Sequence, residues 1–129
     1  MAALLEADMP VREKLTMMVQ QVTADIQQMN IYQPIALEFY ALAGRREDIR
    51  LSLLSYFNDF QSGLAALFQQ GIDAGEFRPL DPTTIAGIFI AQLEGVALLW
   101  AFNSEHFNLE ETIKTAVELF LDGLSPHPP

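Results

Sequence analysis

The chain contains no cysteine. Disulfides, thiol nucleophiles, zinc–thiolate sites and iron–sulfur clusters are therefore excluded, and the composition suits a reducing compartment. Histidine is nearly as scarce, with only His106 and His127. Two imidazoles do not make a histidine metal cluster within one subunit. Basic residues are few: seven Lys and Arg stand against seventeen Asp and Glu, for a formal charge of −10. Such a surface repels phosphate backbones, so the chain is not expected to bind nucleic acid by itself. Also missing are a glycine-rich phosphate loop, an internal repeat and any long alternating run of β-branched residues. The N-terminus, Met-Ala-Ala-Leu-Leu-Glu-Ala-Asp, has neither the basic region nor the apolar core of a secretory signal.

What is present is a chain of 129 residues, half of them hydrophobic and 19% charged. That composition excludes disorder and low complexity, and the length fits one domain with a real core. Residues 83–103 approach a membrane span in length and apolarity. However, Gln92 and Glu94 lie at the centre and no Lys or Arg flanks the stretch. Central acids are costly in lipid and the positive-inside signal is missing, so this segment is expected to be a buried helix.

Gly and Pro punctuate the sequence, and the segments between them have helical period. Residues 1–8 look like the end of a helix. A second helix starts at Pro10, which suits a first turn, and runs to about Met29 with Leu15, Met18, Val19, Val22 and Ile26 on one stripe. Asn30 and Pro34 bracket a turn. A short helix over about 32–43 carries Ile35, Phe39 and Leu42, and Gly44 ends it. The longest helix, about 46–74, repeats apolar residues in steps of three and four through Ile49, Leu53, Tyr56, Phe57, Phe60, Leu64, Leu67 and Phe68. At 1.5 Å per residue it spans roughly 40 Å. Gly75 is suited to a left-handed C′ position. Asp81-Pro82 is an N-cap acid followed by proline at the first helical position. The helix after it is apolar nearly all round. Asn108 through Glu111 forms a capping-box start for a last helix carrying Ile113, Ala116, Val117, Phe120, Leu121 and Leu124, ended by Gly123. Residues 125–129 read as a frayed tail. The fold class is therefore all-α, a multi-helix bundle in a single domain over 1–129.

Two constellations point to binding. Gly87, Ala91 and Gly95 are small residues spaced by four, which lets another helix backbone approach closely. A helix of the same chain satisfies this pattern, but an all-round apolar helix needs a second partner, which favours a subunit interface. With the last helix it would form an intermolecular four-helix bundle. The second constellation is a set of aromatic and adaptable side chains on four helices: Met17, Met18, Phe39, Tyr40, Tyr56, Phe57, Phe60, Phe89, Gln92, Val96 and Trp100. Each alone reads as packing. Together they are the lining a concave apolar ligand site requires. Glu94, a carboxylate in an apolar helix, is expected at the surface or an interface.

Enzymatic readings find no support. The acids fall on solvated helix faces and caps rather than across a cleft. Glu105-His106 beside Glu110 and Glu111 fits no metal-ligand spacing, and Ser104 near His106 has no nucleophile elbow. No catalytic residue, metal or cofactor is expected. Arg45, Arg46 and Arg50, flanked by Glu47 and Asp48, read as a locally paired helix start.

The run Gly71-Ile72-Asp73-Ala74-Gly75-Glu76-Phe77-Arg78, followed by Leu80-Asp81-Pro82, resembles the junction between the seventh and eighth helices of TetR-family transcriptional regulators. Residues 36–43 and the apolar helix ending near Trp100 fit the same pattern, over about residues 4–124. The resemblance implies a two-part regulator. An N-terminal helix-turn-helix domain would read operator DNA, and a C-terminal helical domain would dimerise and bind a small effector. This chain has room only for the second part, with residues 1–8 as the end of the connecting helix. Operator DNA would be reached only through the N-terminal domain.

The resemblance places the dimer interface on the last two helices, at Gly87, Ala91, Gly95, Leu98, Phe102, Ile113, Ala116, Val117 and Phe120. It places a small apolar or amphipathic effector among Met18, Phe39, Tyr56, Phe60, Gln92, Val96 and Trp100. The expected protein is a cytoplasmic homodimer, neither an enzyme nor a membrane protein. The alternative is a structural helical dimerisation module with a solid core.

Overall fold

Among the described residues, six helices form in the order the punctuation dictates. The computed structural model describes residues 2–28 and 32–126, with α1 at Ala2–Glu6, α2 at Val11–Gln28, α3 at Tyr32–Ala43, α4 at Glu47–Asp73, α5 at Pro82–Phe102 and α6 at Leu109–Leu124. The expected turn residue Asn30 and the tail 127–129 lie outside the described residues, as do Met29 and the side chain of Ile35.

The helix starts follow from local chemistry. The Asp81 carboxylate accepts from the Thr84 N–H at 3.2 Å and from the Thr84 hydroxyl, and Pro82 occupies the first turn. Those hydrogen bonds hold the Asp81 carboxyl below its ordinary pKa of 3.8. Asn108 Oδ1 accepts from the Glu111 N–H at 2.9 Å. At the start of α4 the arginines pair locally as expected, Arg46 with Asp48 at 2.7 Å and Arg50 with Glu47 at 3.6 Å. The Arg46 hydrogen bond lowers the Asp48 pKa. These pairs are exposed and contribute little to stability. One helix end departs from expectation. Gly123 lies inside α6, which continues to Leu124 before Ser125 and Pro126 stop it.

The core gathers where α2, α5, α6 and the C-terminal half of α4 converge. Leu15, Leu64, Leu67, Phe68, Ala86 and Phe89 are fully enclosed. Phe68 is its centre, with ring centroids 5.9 Å from Phe77, 5.6 Å from Phe89 and 6.2 Å from Phe120. The N-terminal half of α4 extends past this core. There Ile49, Leu53, Phe57 and Phe60 are half-buried, and Leu51, Leu54 and Tyr56 face solvent. By length and composition α5 is apolar enough to cross a membrane. It instead packs against α3, α4 and α6.

The segment after α4 ties three helix ends together. Gly75 turns the chain at φ 77°, the left-handed conformation that glycine adopts without strain. Next, the Glu76 carboxylate accepts from the Val11 and Arg12 N–H groups at 3.0 and 3.4 Å, satisfying the open start of α2. Phe77 folds back, buried, over Gly71. The Arg78 N–H donates to the Leu124 carbonyl at 2.8 Å and its guanidinium to the Gly123 carbonyl, closing the end of α6. Gly71→Ala tests this joint. A Cβ there would overlap the Phe77 ring, which is 4% exposed and pinned on both sides by its neighbours' bonds. Alanine gains about 1 kcal/mol of helix propensity. Overpacking costs up to about 3 kcal/mol, so the variant is expected to lose roughly 1–2 kcal/mol in a urea titration.

Candidate functional site

The expected ligand residues differ in exposure. Met18, Phe60, Val96 and Trp100 pack half-buried against the core. Phe60 stacks on Tyr56 at 6.4 Å, and Tyr56 itself is 62% exposed. Phe39, on α3, is 38% exposed, and α3 packs against both α4 and α5. Gln92 stands out among them. Its amide nitrogen is buried and has no hydrogen-bond partner. A buried donor without an acceptor costs about 1–3 kcal/mol, so a polar acceptor arriving there would be favoured.

Two residues beside this set gain roles that the sequence left open. The Tyr40 hydroxyl donates to the Glu94 carboxylate, joining α3 to α5. Glu94 is half-buried, so it is neither a plain surface group nor an unsatisfied one. Its position within an apolar helix marked it as unusual. Its partner, 54 residues away, had no sequence signal.

A concavity of about 450 Å³ runs between α2 and α6, and none of the seven expected ligand residues lines it. Its floor is Val19, Ile113, Val117 and Leu121, and each is already at most 5% exposed. Its walls are polar, with Gln20, Lys114 and Glu118, and the Arg12–Asp122 ion pair spans it at 2.8 Å. Apolar binding gains about 25 cal/mol for each Å² removed from water. With the floor covered, this cleft between two packed helices offers an apolar ligand little. Among the described residues no three acids or histidines converge to hold a metal ion.

The expected dimer residues divide sharply. Ala91 is exposed, Gly95 has nothing within 4 Å of where a Cβ would stand, and Phe102 is 70% exposed. Leu98 and Ala116 are half-buried. Gly87 instead faces its own chain, because a Cβ there would lie 3.0 Å from the Gln61 amide on α4. Ile113 and Val117 are each 4% exposed, and Phe120 packs on Phe89 at 5.5 Å. These three therefore belong to the core rather than to a free face. The physical reason is that α6 has a single strong apolar stripe, and the chain's own core consumes it. The face that remains exposed on α5 and α6 includes Ile88 at 53%, Leu99 at 56% and Leu119 at 69%. The sequence reading missed all three, although Ile88 and Leu99 lie one position from residues it named.

Residues 11–126 match the family of BetI-type transcriptional repressor C-terminal domains. A 64-residue stretch is 36% identical to an uncharacterized HTH-type transcriptional regulator, YfiR, of Bacillus subtilis (strain 168), covering 49% of this chain and 31% of that protein. The chain thus matches about a third of that relative's length. No solved structure matches significantly. The family is one of regulators rather than enzymes, and the six-helix, strand-free fold of the described residues agrees with it. The match covers nearly the whole chain, including all of α2 to α6, and the chain therefore belongs to the BetI-type C-terminal domains of TetR-type transcriptional repressors.

Proposed function

We propose that this chain is the homodimerising, effector-sensing domain of a TetR-type repressor that acts in the cytoplasm. One observation carries the reading. α5 and α6 expose Ile88, Leu99, Phe102 and Leu119 by more than half each, beside the open backbone at Gly95. Ile88, Leu99 and Phe102 recur at helical spacing on one face of α5, and an exposed apolar face of this kind marks an interaction surface. A second copy related by a two-fold axis covers the same face with itself and completes a four-helix bundle.

The sensing half of the reading rests on the unpaired Gln92 amide, with Val96 and Trp100 on the following turns of α5. A small apolar or amphipathic effector carrying one hydrogen-bond acceptor suits that environment. Its binding would favour one arrangement of α3, α4 and α5 over another, and it shifts the equilibrium only by its difference in affinity for the two. Paired DNA-reading heads must sit about 34 Å apart, so a modest change in their separation weakens operator binding.

A native mass spectrum of the purified chain tests the reading. The expected species is a dimer, and extra small-molecule mass on it would identify an effector. A monomer at micromolar concentration would overturn the proposal. A bare dimer whose melting temperature is unmoved by a broad apolar library would leave a purely structural dimerisation module.

A further inference from the structure

Lys14 is the most unexpected residue in the core. It is 1% exposed, within the buried α2 stripe of Val11, Leu15 and Val19. Burying an ammonium group is costly, and an apolar side chain of the same length would fill the space without that cost. Its bonds show what it does instead. Lys14 Nζ donates to the Leu5 carbonyl at 3.2 Å and to Gln70 Oε1 at 2.7 Å. Gln70 Nε2 donates to the same Leu5 carbonyl at 2.8 Å. One oxygen of α1 is thus held by side chains from α2 and α4, and those two side chains also hold each other.

The held atom lies in the last turn of α1, where carbonyls lack intrahelical partners and carry partial negative charge. α1 has no basic residue of its own in that turn. Six residues beyond Gln70, Glu76 grips the start of α2. The end of α4 and the segment after it therefore grip both sides of the α1–α2 corner. Tyr56 and Phe60, on the proposed effector side, lie near the middle of the same helix.

We infer that Lys14 and Gln70 form a clasp that positions α1 on α4. On the reading above, α1 leads to the DNA-reading head, so the clasp is the point at which a shift of α4 is passed to that head. Lys14 and Gln70 are positioning residues; they touch neither effector nor DNA.

The chain has no native cysteine, so Ala3→Cys, on exposed α1, gives a single spin-label site. Lys14→Met and Gln70→Leu are each expected to raise the mobile fraction of the label spectrum about threefold or more, as a local opening of α1. The double variant is expected to add little to either single one, because both break the same closed set of bonds. Gln69→Ala, which removes only an exposed bond to Asp73, is expected to leave the spectrum unchanged. Lys14→Met is expected to melt no lower than the parent chain. An unchanged spectrum in Gln70→Leu would overturn the clasp, since Leu5 packing alone would then hold α1. Faster amide exchange across α6 matching the gain in label mobility would also overturn it, because the pair would then hold the whole domain. Either failure leaves the dimer expected in the native mass spectrum untouched, so the clasp and the proposed function fail separately.

Discussion

Phe68→Ala is expected to destabilise the domain by about 3–5 kcal/mol, the range for emptying a fully enclosed aromatic site. Phe68 is completely buried, and its ring meets Phe77 from the segment after α4, Phe89 from α5 and Phe120 from α6. Three elements would lose their common contact at once, and pinned neighbours cannot collapse fully into the space. Domains of this kind carry about 5–15 kcal/mol in total, so the variant sits near the limit of folding. The check is a urea titration at fixed protein concentration, because the proposed dimer would make apparent stability concentration-dependent. The midpoint should fall while the slope stays constant. Tyr56→Ala supplies the contrast. With its side chain 62% exposed, it is expected to change stability by about 0.5 kcal/mol or less. A loss below about 1 kcal/mol for Phe68→Ala would mean that the aromatic cluster does not organise the core.

Helix positions were legible in the sequence because their determinants are local. Asp81-Pro82 starts α5 and Gly75 turns the chain after α4 through chemistry contained within a few residues. Asn108 caps α6 for the same reason. The Gly123 expectation failed because a glycine at a helix end is only a permission to stop, and the helix here continues one residue further. What covers each helix face was less legible. Periodicity shows that Ile113, Val117 and Phe120 share a stripe, but not whether that stripe meets its own chain or another. In the structure its own chain covers it.

The Gly-Glu-Phe-Arg stretch shows a second limit. Its residues could be recognised, but their partners lie 45 to 65 positions away, at the start of α2 and the end of α6. Lys14 had a usable signal, since it lies three residues after Val11 and four before Met18, inside an apolar stripe. A lysine at such a position either extends its charge to solvent or finds acceptors inside. Only the fold decides between these, by placing Leu5 and Gln70 within reach.

The division of α6 into inner and outer faces leads to the second large effect. Phe102→Asp combined with Leu119→Asp is expected to weaken the proposed dimer by more than about 100-fold, because burying an unpaired carboxylate costs several kcal/mol. Two-fold symmetry places both changes in each half, so four like charges would meet in one interface. The monomer should keep its helices. Phe102 and Leu119 are 70% and 69% exposed in the single chain, and neither supports the core. Sedimentation velocity at a fixed concentration, with circular dichroism on the same sample, separates the two effects. Ile113→Asp is the informative control. Were the α6 stripe read from periodicity the interface, this change would yield a folded monomer. Because Ile113 is 4% exposed within its own chain, it is expected to unfold the domain instead. A double variant that remains dimeric would remove the exposed α5–α6 face as the interface, and a folded, monomeric Ile113→Asp would restore the inner stripe in its place.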